Sequence, residues 1–276
     1  MSFVIIIPTY NAEKAGIEML LKSIKEQSIY PEKICIIDSS STDCTVEICR
    51  KYGCEITIIE KSSFNHGLTR QLGIDNNKNY DYAVFMTQDI RLKNTNTLKT
   101  LLSSFNKENT AAAYGRQLTD ETSSFIEKIS RSFNYPPYSI IKSKNDIEKY
   151  GISTAFCSDS FAAYKISDLL AAGGFPKTDF AEDMLAAAQI ILSGKLVYYN
   201  AQAEVFHSHP YSIKSEYARG KAIGRMHKEN KWLIDTFGRA ENKGKELLHS
   251  LSFHKKILYI LQALPKLIGY KTGRLF

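Results

Sequence analysis

Residues 3–11 read Phe3-Val4-Ile5-Ile6-Ile7-Pro8-Thr9-Tyr10-Asn11. Five consecutive apolar residues, most of them β-branched and cut short by a proline and polar turn residues, describe a strand buried on both faces. The pattern recurs. Lys33–Asp38, Glu55–Ile59 and Tyr82–Thr87 are short apolar runs, each closed by polar residues and joined to the next by a helix-like segment. Ile17, Leu20, Leu21 and Ile24 fall at helical spacing between the first two runs. Thr42 or Asp43 stands where a cap of the next helix belongs, with Val46 and Cys49 turned inward. This βαβ series predicts an α/β fold with a mixed, mostly parallel sheet covered by helices on both faces.

In such a sheet ligands collect beyond the carboxyl ends of the strands. The loops there are Pro8-Thr9-Tyr10-Asn11, Asp38-Ser39-Ser40-Ser41-Thr42-Asp43 and Thr87-Gln88-Asp89. No G-x-G-x-x-G follows the first strand and no G-x-x-x-x-G-K-[ST] occurs, which argues against a dinucleotide-binding domain and a P-loop. Asp38 is placed to accept a hydrogen bond from the N3–H of thymine or uracil, and Pro8, Thr9, Tyr10 and Gln88 border the same crevice. Arg70, on a helix entered after Gly67, suits a diphosphate, because guanidinium both neutralises and orients phosphate oxygens.

The 276 residues, 43% of them hydrophobic, suffice for one large α/β domain with an appendage. We divide the chain into a catalytic unit over 1–210 and a helical extension over 211–276. Within the first, 1–94 reads as the nucleotide-binding half and 95–210 as the acceptor half. Thirty-six Lys and Arg against 29 Asp and Glu give a net charge of +7, which favours anionic partners. From Lys214 to Arg274 the basic residues interleave with aromatics. Phe253 to Tyr270 combines Lys255, Lys256 and Lys266 with an apolar series interrupted at Pro265. It reads either as a packed terminal helix or as an interfacial helix on an anionic membrane. The five cysteines, Cys35, Cys44, Cys49, Cys54 and Cys157, form no CxxC pair, so a thiolate metal site is not expected. The start lacks a basic region before its apolar run, and no stretch approaches the roughly 18 apolar residues of a membrane span. A cytoplasmic protein, at most peripheral on the inner face of the membrane, is the expectation.

Nine short motifs follow one another: Phe64-Asn65-His66-Gly67, Thr69-Arg70-Gln71, Thr87-Gln88-Asp89, Tyr114-Gly115-Arg116-Gln117-Leu118, Arg131 to Pro136, Ser160-Phe161-Ala162-Ala163-Tyr164, Gly173-Gly174-Phe175-Pro176, Glu182-Asp183-Met184 and His207-Ser208-His209. In this order they resemble the bacterial rhamnosyltransferases of glycosyltransferase family 2. The resemblance implies a GT-A fold and an inverting transfer from a nucleoside-diphosphate sugar, dTDP-L-rhamnose in the namesakes. The acceptor it implies is a cell-surface polysaccharide or a lipid-linked glycan precursor, with no nucleic acid involved. It also implies a divalent cation, Mg²⁺ or Mn²⁺, on Asp89, with His207 or, less well placed, His209 completing the coordination. Asp183 becomes the general base and Glu182 the residue that orients or contacts the acceptor. Thr119-Asp120 and Asp159 depart from the family pattern, which has Pro-His and Asn there. A transferase for another nucleotide sugar and a non-catalytic nucleotide-sugar or glycan-binding module are the competing readings.

Overall fold

The computed structural model describes residues 1–120, 123–208, 212–238, 248–249 and 251–275. The four apolar runs are strands β1 (Phe3–Thr9), β2 (Lys33–Asp38), β3 (Glu55–Ile58) and β4 (Tyr82–Met86), parallel in the order β3-β2-β1-β4. Helices α1 (Ile17–Lys25), α2 (Thr45–Lys51) and α3 (His66–Asp75) connect them. The N-cap of α2 is Cys44, just past both candidates, and it makes no side-chain cap hydrogen bond; Asp43, immediately before it, accepts from the Thr45 N–H at 3.1 Å. Then follow β5 (Arg91–Leu92), α4 (Thr97–Leu102), β6 (Thr110–Leu118), α5 (Phe125–Asn134), β7 (Ile140–Lys142), α6 (Ile147–Tyr150), β8 (Phe161–Lys165), α7 (Ile166–Ala171), α8 (Glu182–Leu192) and β9 (Leu196–Phe206).

β8 lies antiparallel between β4 and β6, β9 runs parallel to β6, and β5 and β7 flank β9 antiparallel. Among the described residues β1, β2, β3, β4, β6 and β9 therefore point one way, the mostly parallel sheet expected. The sheet crosses residue 94 without a break, which joins the two halves through one core. Along β1 the side chains alternate as the pleat requires: Val4 and Ile6 enter one apolar cluster, with Ile74 of α3, Leu169 of α7 and Leu185 of α8. Ile5 and Ile7 enter the other, with Leu20 of α1 and Leu98 of α4. Burying one such side chain contributes about 1.5–3 kcal/mol, which is why the strand tolerates no polar residue until Thr9.

Beyond the sheet come α9 (Ile213–Glu229), α10 (Lys231–Phe237) and α11 (Phe253–Leu275). α11 runs on through Pro265. A proline there removes one i to i−4 hydrogen bond, and α9 packs tightly along the turns that follow it. A Cβ added at Gly220 would collide with the Lys266 carbonyl oxygen, and one at Gly273 with the Lys221 carbonyl oxygen. Only glycines at these positions let the two backbones meet. His227 and Tyr270 hydrogen-bond across the same seam at 3.1 Å. No helix among the described residues is long and apolar enough to cross a membrane.

Candidate active site

The loops after β1 and β2 are stitched together. Asp38 is fully buried, and its carboxylate accepts from the Thr9 hydroxyl at 2.8 Å, the Ser41 N–H at 2.8 Å and the Ser41 hydroxyl at 2.6 Å. Ser41 Oγ in turn accepts from the Asn11 N–H, and Asn11 Oδ1 from the Thr42 N–H. Asn11 and Ser40 adopt left-handed backbone conformations, φ 45° and 58°, which side-chain-bearing residues reach at a cost of about 1 kcal/mol or more. Asp38 thus organises the crevice from below, while the buried hydroxyl of neighbouring Ser39 finds no hydrogen-bond partner among the described residues. Tyr10 exchanges two hydrogen bonds with Gln88, N–H to Oε1 at 2.9 Å and Nε2 to the carbonyl at 3.2 Å. That pair ties the end of β1 to the end of β4. Lys61 donates to the exposed Tyr10 hydroxyl at 2.6 Å, a cation at the crevice that the sequence reading missed. Pro8 pairs in register with Ile37 and serves the strand.

Three motifs prove to be one clamp. Asn65 caps α3 by accepting from the Leu68 N–H at 3.0 Å, and the same oxygen accepts from the Thr178 N–H at 3.2 Å. Its amide donates to Asp179 at 2.6 Å, and Gln71 accepts from the Phe175 N–H at 2.8 Å. A Cβ at Gly67 would overlap the Pro176 carbonyl oxygen, so only glycine permits this approach. The clamp fixes the loop that ends in Ala181, itself left-handed at φ 60°, from which α8 starts with Glu182 and Asp183.

Arg70 is the correction to the sequence reading. Expected on a diphosphate, it is buried, with Nε 2.9 Å from Asp159 Oδ2 and Nη1 2.7 Å from Glu182 Oε1. Two carboxylates claim the guanidinium. Glu182 is likewise buried, with its carboxylate in this ion pair. Asp159 also accepts from the Tyr164 hydroxyl at 2.7 Å, and its N–H donates to Asp183 Oδ2 at 3.2 Å. Asp183 is half-buried, and its other oxygen accepts from the Met184 N–H at 2.7 Å. Burial, then the charges of Glu182 and Asp159, hold the Asp183 carboxyl well above the usual carboxylate range. Burial likewise pushes Asp159 up to about 7.

Asp89 and His207, far apart in sequence, meet with Oδ1 3.4 Å from Nε2. The other imidazole nitrogen, Nδ1, sits 2.9 Å from Gln117 Oε1, and that oxygen accepts from Arg131, which can only donate. Gln117 Oε1 is therefore an acceptor and His207 Nδ1 the donor. In the neutral imidazole the Nε2 lone pair then faces the Asp89 carboxylate. This is how a hydrogen-bonded partner orients a metal-binding histidine, so the oxygen and nitrogen donors fit a divalent cation. Thr87, two residues before Asp89, adds a buried hydroxyl with no hydrogen-bond partner among the described residues. Among the described residues no group of three or more His, Cys, Asp or Glu side chains could hold a metal, so this pair would need ligand oxygens to complete the shell. His209 lies outside the described residues. Gln117 also donates to Ser158 at 2.8 Å, next to Asp159, so the Asp89–His207 pair and the acid cluster share one scaffold. Gln117, Arg131 and Ser158 were not singled out from sequence as site residues. Gln117 and Arg131 stand inside two of the motifs quoted from the sequence, but nothing local to either motif shows that they meet.

Comparison with known proteins agrees with this geometry. The chain is 40% identical to the O-antigen chain rhamnosyltransferase WbaN of Salmonella anatum, covering 99% of this chain and 89% of the relative. It is 38% identical to the O-antigen chain rhamnosyltransferase RfbN of Salmonella typhimurium, covering 99% and 90%. Among solved structures, the mannosyltransferase PcManGT from Pyrobaculum calidifontis in complex with GDP-Man and Mn²⁺ superposes with a TM-score of 0.69 at 16% identity, covering 99% of this chain and 87% of that one. S. aureus TarS 1-349 in complex with UDP-GlcNAc gives 0.61 at 17%, covering 95% and 79%. These structural likenesses establish the GT-A fold. The model for Glycosyl transferase family 2 matches residues 4–170, and with 40% identity to a relative along nearly the whole chain the protein belongs to that family.

Proposed function

We propose that this glycosyltransferase moves L-rhamnose from dTDP-L-rhamnose, with inversion, onto a glycan acceptor of cell-surface polysaccharide or its lipid-linked precursor. The observation that carries the reading is the half-buried, proton-avid Asp183 at the start of α8, on one scaffold with the Asp89–His207 pair. The acceptor hydroxyl attacks the anomeric carbon and gives its proton to Asp183. The bond from that carbon to the diphosphate breaks, and dTDP leaves from the opposite face. Thr9, Tyr10, Asp38 and Gln88 shape the nucleotide crevice. A divalent cation, Mg²⁺ or Mn²⁺, held by Asp89 and His207 would neutralise the leaving diphosphate. The donor and acceptor follow the names of the 40% and 38% identical relatives. With Mn²⁺ present, dTDP and dTDP-L-rhamnose are expected to raise the melting temperature, since a ligand that binds only the native state stabilises it. Failure of dTDP, UDP and GDP alike at millimolar concentration would remove the transferase reading.

The same reading includes a membrane surface as partner. α11 turns its glycines to α9 and exposes Ile257, Leu261, Leu264, Leu267, Ile268 and Leu275, at 41–73% exposure, along its opposite face. Contiguous apolar stripes are rare on free surfaces. Residues 253–275 hold five Lys and Arg and no acid, which suits an anionic bilayer. Wild-type protein is expected to sediment with phosphatidylglycerol vesicles and not with phosphatidylcholine vesicles. One substitution leaves most of the stripe in place, so Leu261→Glu, Leu264→Glu and Ile268→Glu are combined in one chain. The triple variant should stay soluble and keep its melting temperature, because the α9 seam is untouched. Undiminished sedimentation of that variant would refute the membrane contact.

A further inference from the structure

Three carboxylates, Asp159, Glu182 and Asp183, gather around one guanidinium, that of Arg70. The cluster draws on four elements. α3 supplies Arg70 and His66, the turn before β8 supplies Cys157 and Asp159, β8 supplies Tyr164, and α8 supplies Glu182. Tyr135, just after α5, is close enough to interact electrostatically with Asp183. Asp159 touches both ends of the arrangement. Its carboxylate meets Arg70 at 2.9 Å and the Tyr164 hydroxyl at 2.7 Å, while its N–H meets Asp183 at 3.2 Å. Asp159 is 1% exposed and Arg70 5%, so neither is free to approach a phosphate.

We infer that Asp159 and Arg70 are positioning residues that aim the Asp183 carboxylate and set its readiness to take the acceptor proton, so that Arg70 serves the base and not the diphosphate. The inference rests on the reading of Asp183 as the base. The two residues act in opposite senses. Asp159 is a like charge that disfavours the ionised Asp183, and Arg70 an opposite charge that favours it. The upward push on Asp183 from burial and from the other two acids agrees with this balance.

The test is the pH dependence of turnover for wild type, Asp159→Asn, Arg70→Gln and Arg70→Lys, with Asp183→Asn as control. Asp159→Asn removes a like charge and is expected to move the acid limb down by about one pH unit, a tenfold gain in the ionised fraction below the midpoint. Arg70→Gln should move it up by about as much, and Arg70→Lys should leave it near the wild-type position. If a variant turns over too slowly, titration of ¹³C-carboxyl-labelled aspartate by NMR, with Asp183→Asn assigning the resonance, reads the same midpoint. If Arg70→Gln does not fold, Asp159→Asn decides alone. A uniform loss at every pH with unmoved midpoints would make both residues merely structural and overturn the inference. An active Asp183→Asn would instead sink the base assignment, and the two failures are thereby told apart.

Discussion

Asp183→Asn is expected to lower turnover by about 10²–10⁴-fold, the contribution of a positioned general base, while leaving donor affinity unchanged. The separation follows from the geometry. Asp183 belongs to α8 and the acid cluster, and no nucleotide-crevice residue named above contacts it. Asparagine keeps the side chain's size and one oxygen for the Met184 N–H, and it loses only the contact from the Asp159 N–H, at a cost of about 1–3 kcal/mol. The variant should therefore fold and bind dTDP like the wild type. The wild-type enzyme carries a second signature. Burial and two neighbouring acids raise the Asp183 carboxyl, and a base works only when ionised. Turnover should then fall as pH drops through that raised value, well above the range of an exposed aspartate. Isothermal calorimetry with dTDP beside turnover at several pH values checks both statements. More than about a tenth of wild-type turnover in Asp183→Asn would exceed what loss of a base allows.

Strands β1, β2 and β4 were legible because short runs of β-branched, aromatic and other apolar residues ended by polar ones have few other structures open to them. β6 and β8 were not. β6 has Ala111-Ala112-Ala113 near its start and β8 is built on Ala162-Ala163, residues that favour helix when isolated, and only packing in the middle of the sheet makes them strands. Residues 196–206 form one strand although Asn200 and Gln202 interrupt their apolar residues, and the strand shifts register against β6 just after Asn200. At the site, each motif could be picked out but the partners could not. Asn65, Gly67, Gln71 and Phe175 look like separate words until α3 and the 173–181 loop are laid together. Arg70 misled for a physical reason. Buried arginines are rare, so an arginine near a nucleotide crevice reads as a phosphate ligand. Its two carboxylate partners lie 89 and 112 residues away, which no local pattern reveals.

The remaining large effect concerns the cation. Asp89 and His207 offer two protein donors, so cation and nucleoside diphosphate should bind together, each supplying ligands or charge that the other needs. In wild-type protein dTDP affinity is expected to fall at least about tenfold when EDTA replaces Mn²⁺, and the affinity for Mn²⁺ alone should be weak. Asp89→Asn should remove most of that Mn²⁺ increment and leave the metal-free affinity unchanged, because Thr9, Tyr10, Asp38 and Gln88 are untouched. Gln117→Leu goes further into the cause. It spares both donors but takes away the oxygen that holds His207 Nδ1–H, and loss of such an orienting partner typically costs about 10–100-fold in metal affinity. Arg131 also loses its acceptor in that variant, so its melting temperature must be compared with wild type before the affinities are. Calorimetry of dTDP with and without Mn²⁺ on the three proteins gives every quantity required. Equal dTDP affinity in EDTA and in Mn²⁺ for the wild type would mean that the Asp89–His207 pair does not recruit a cation to the nucleotide, and its role would reduce to an ion pair closing the end of β9 onto the loop after β4.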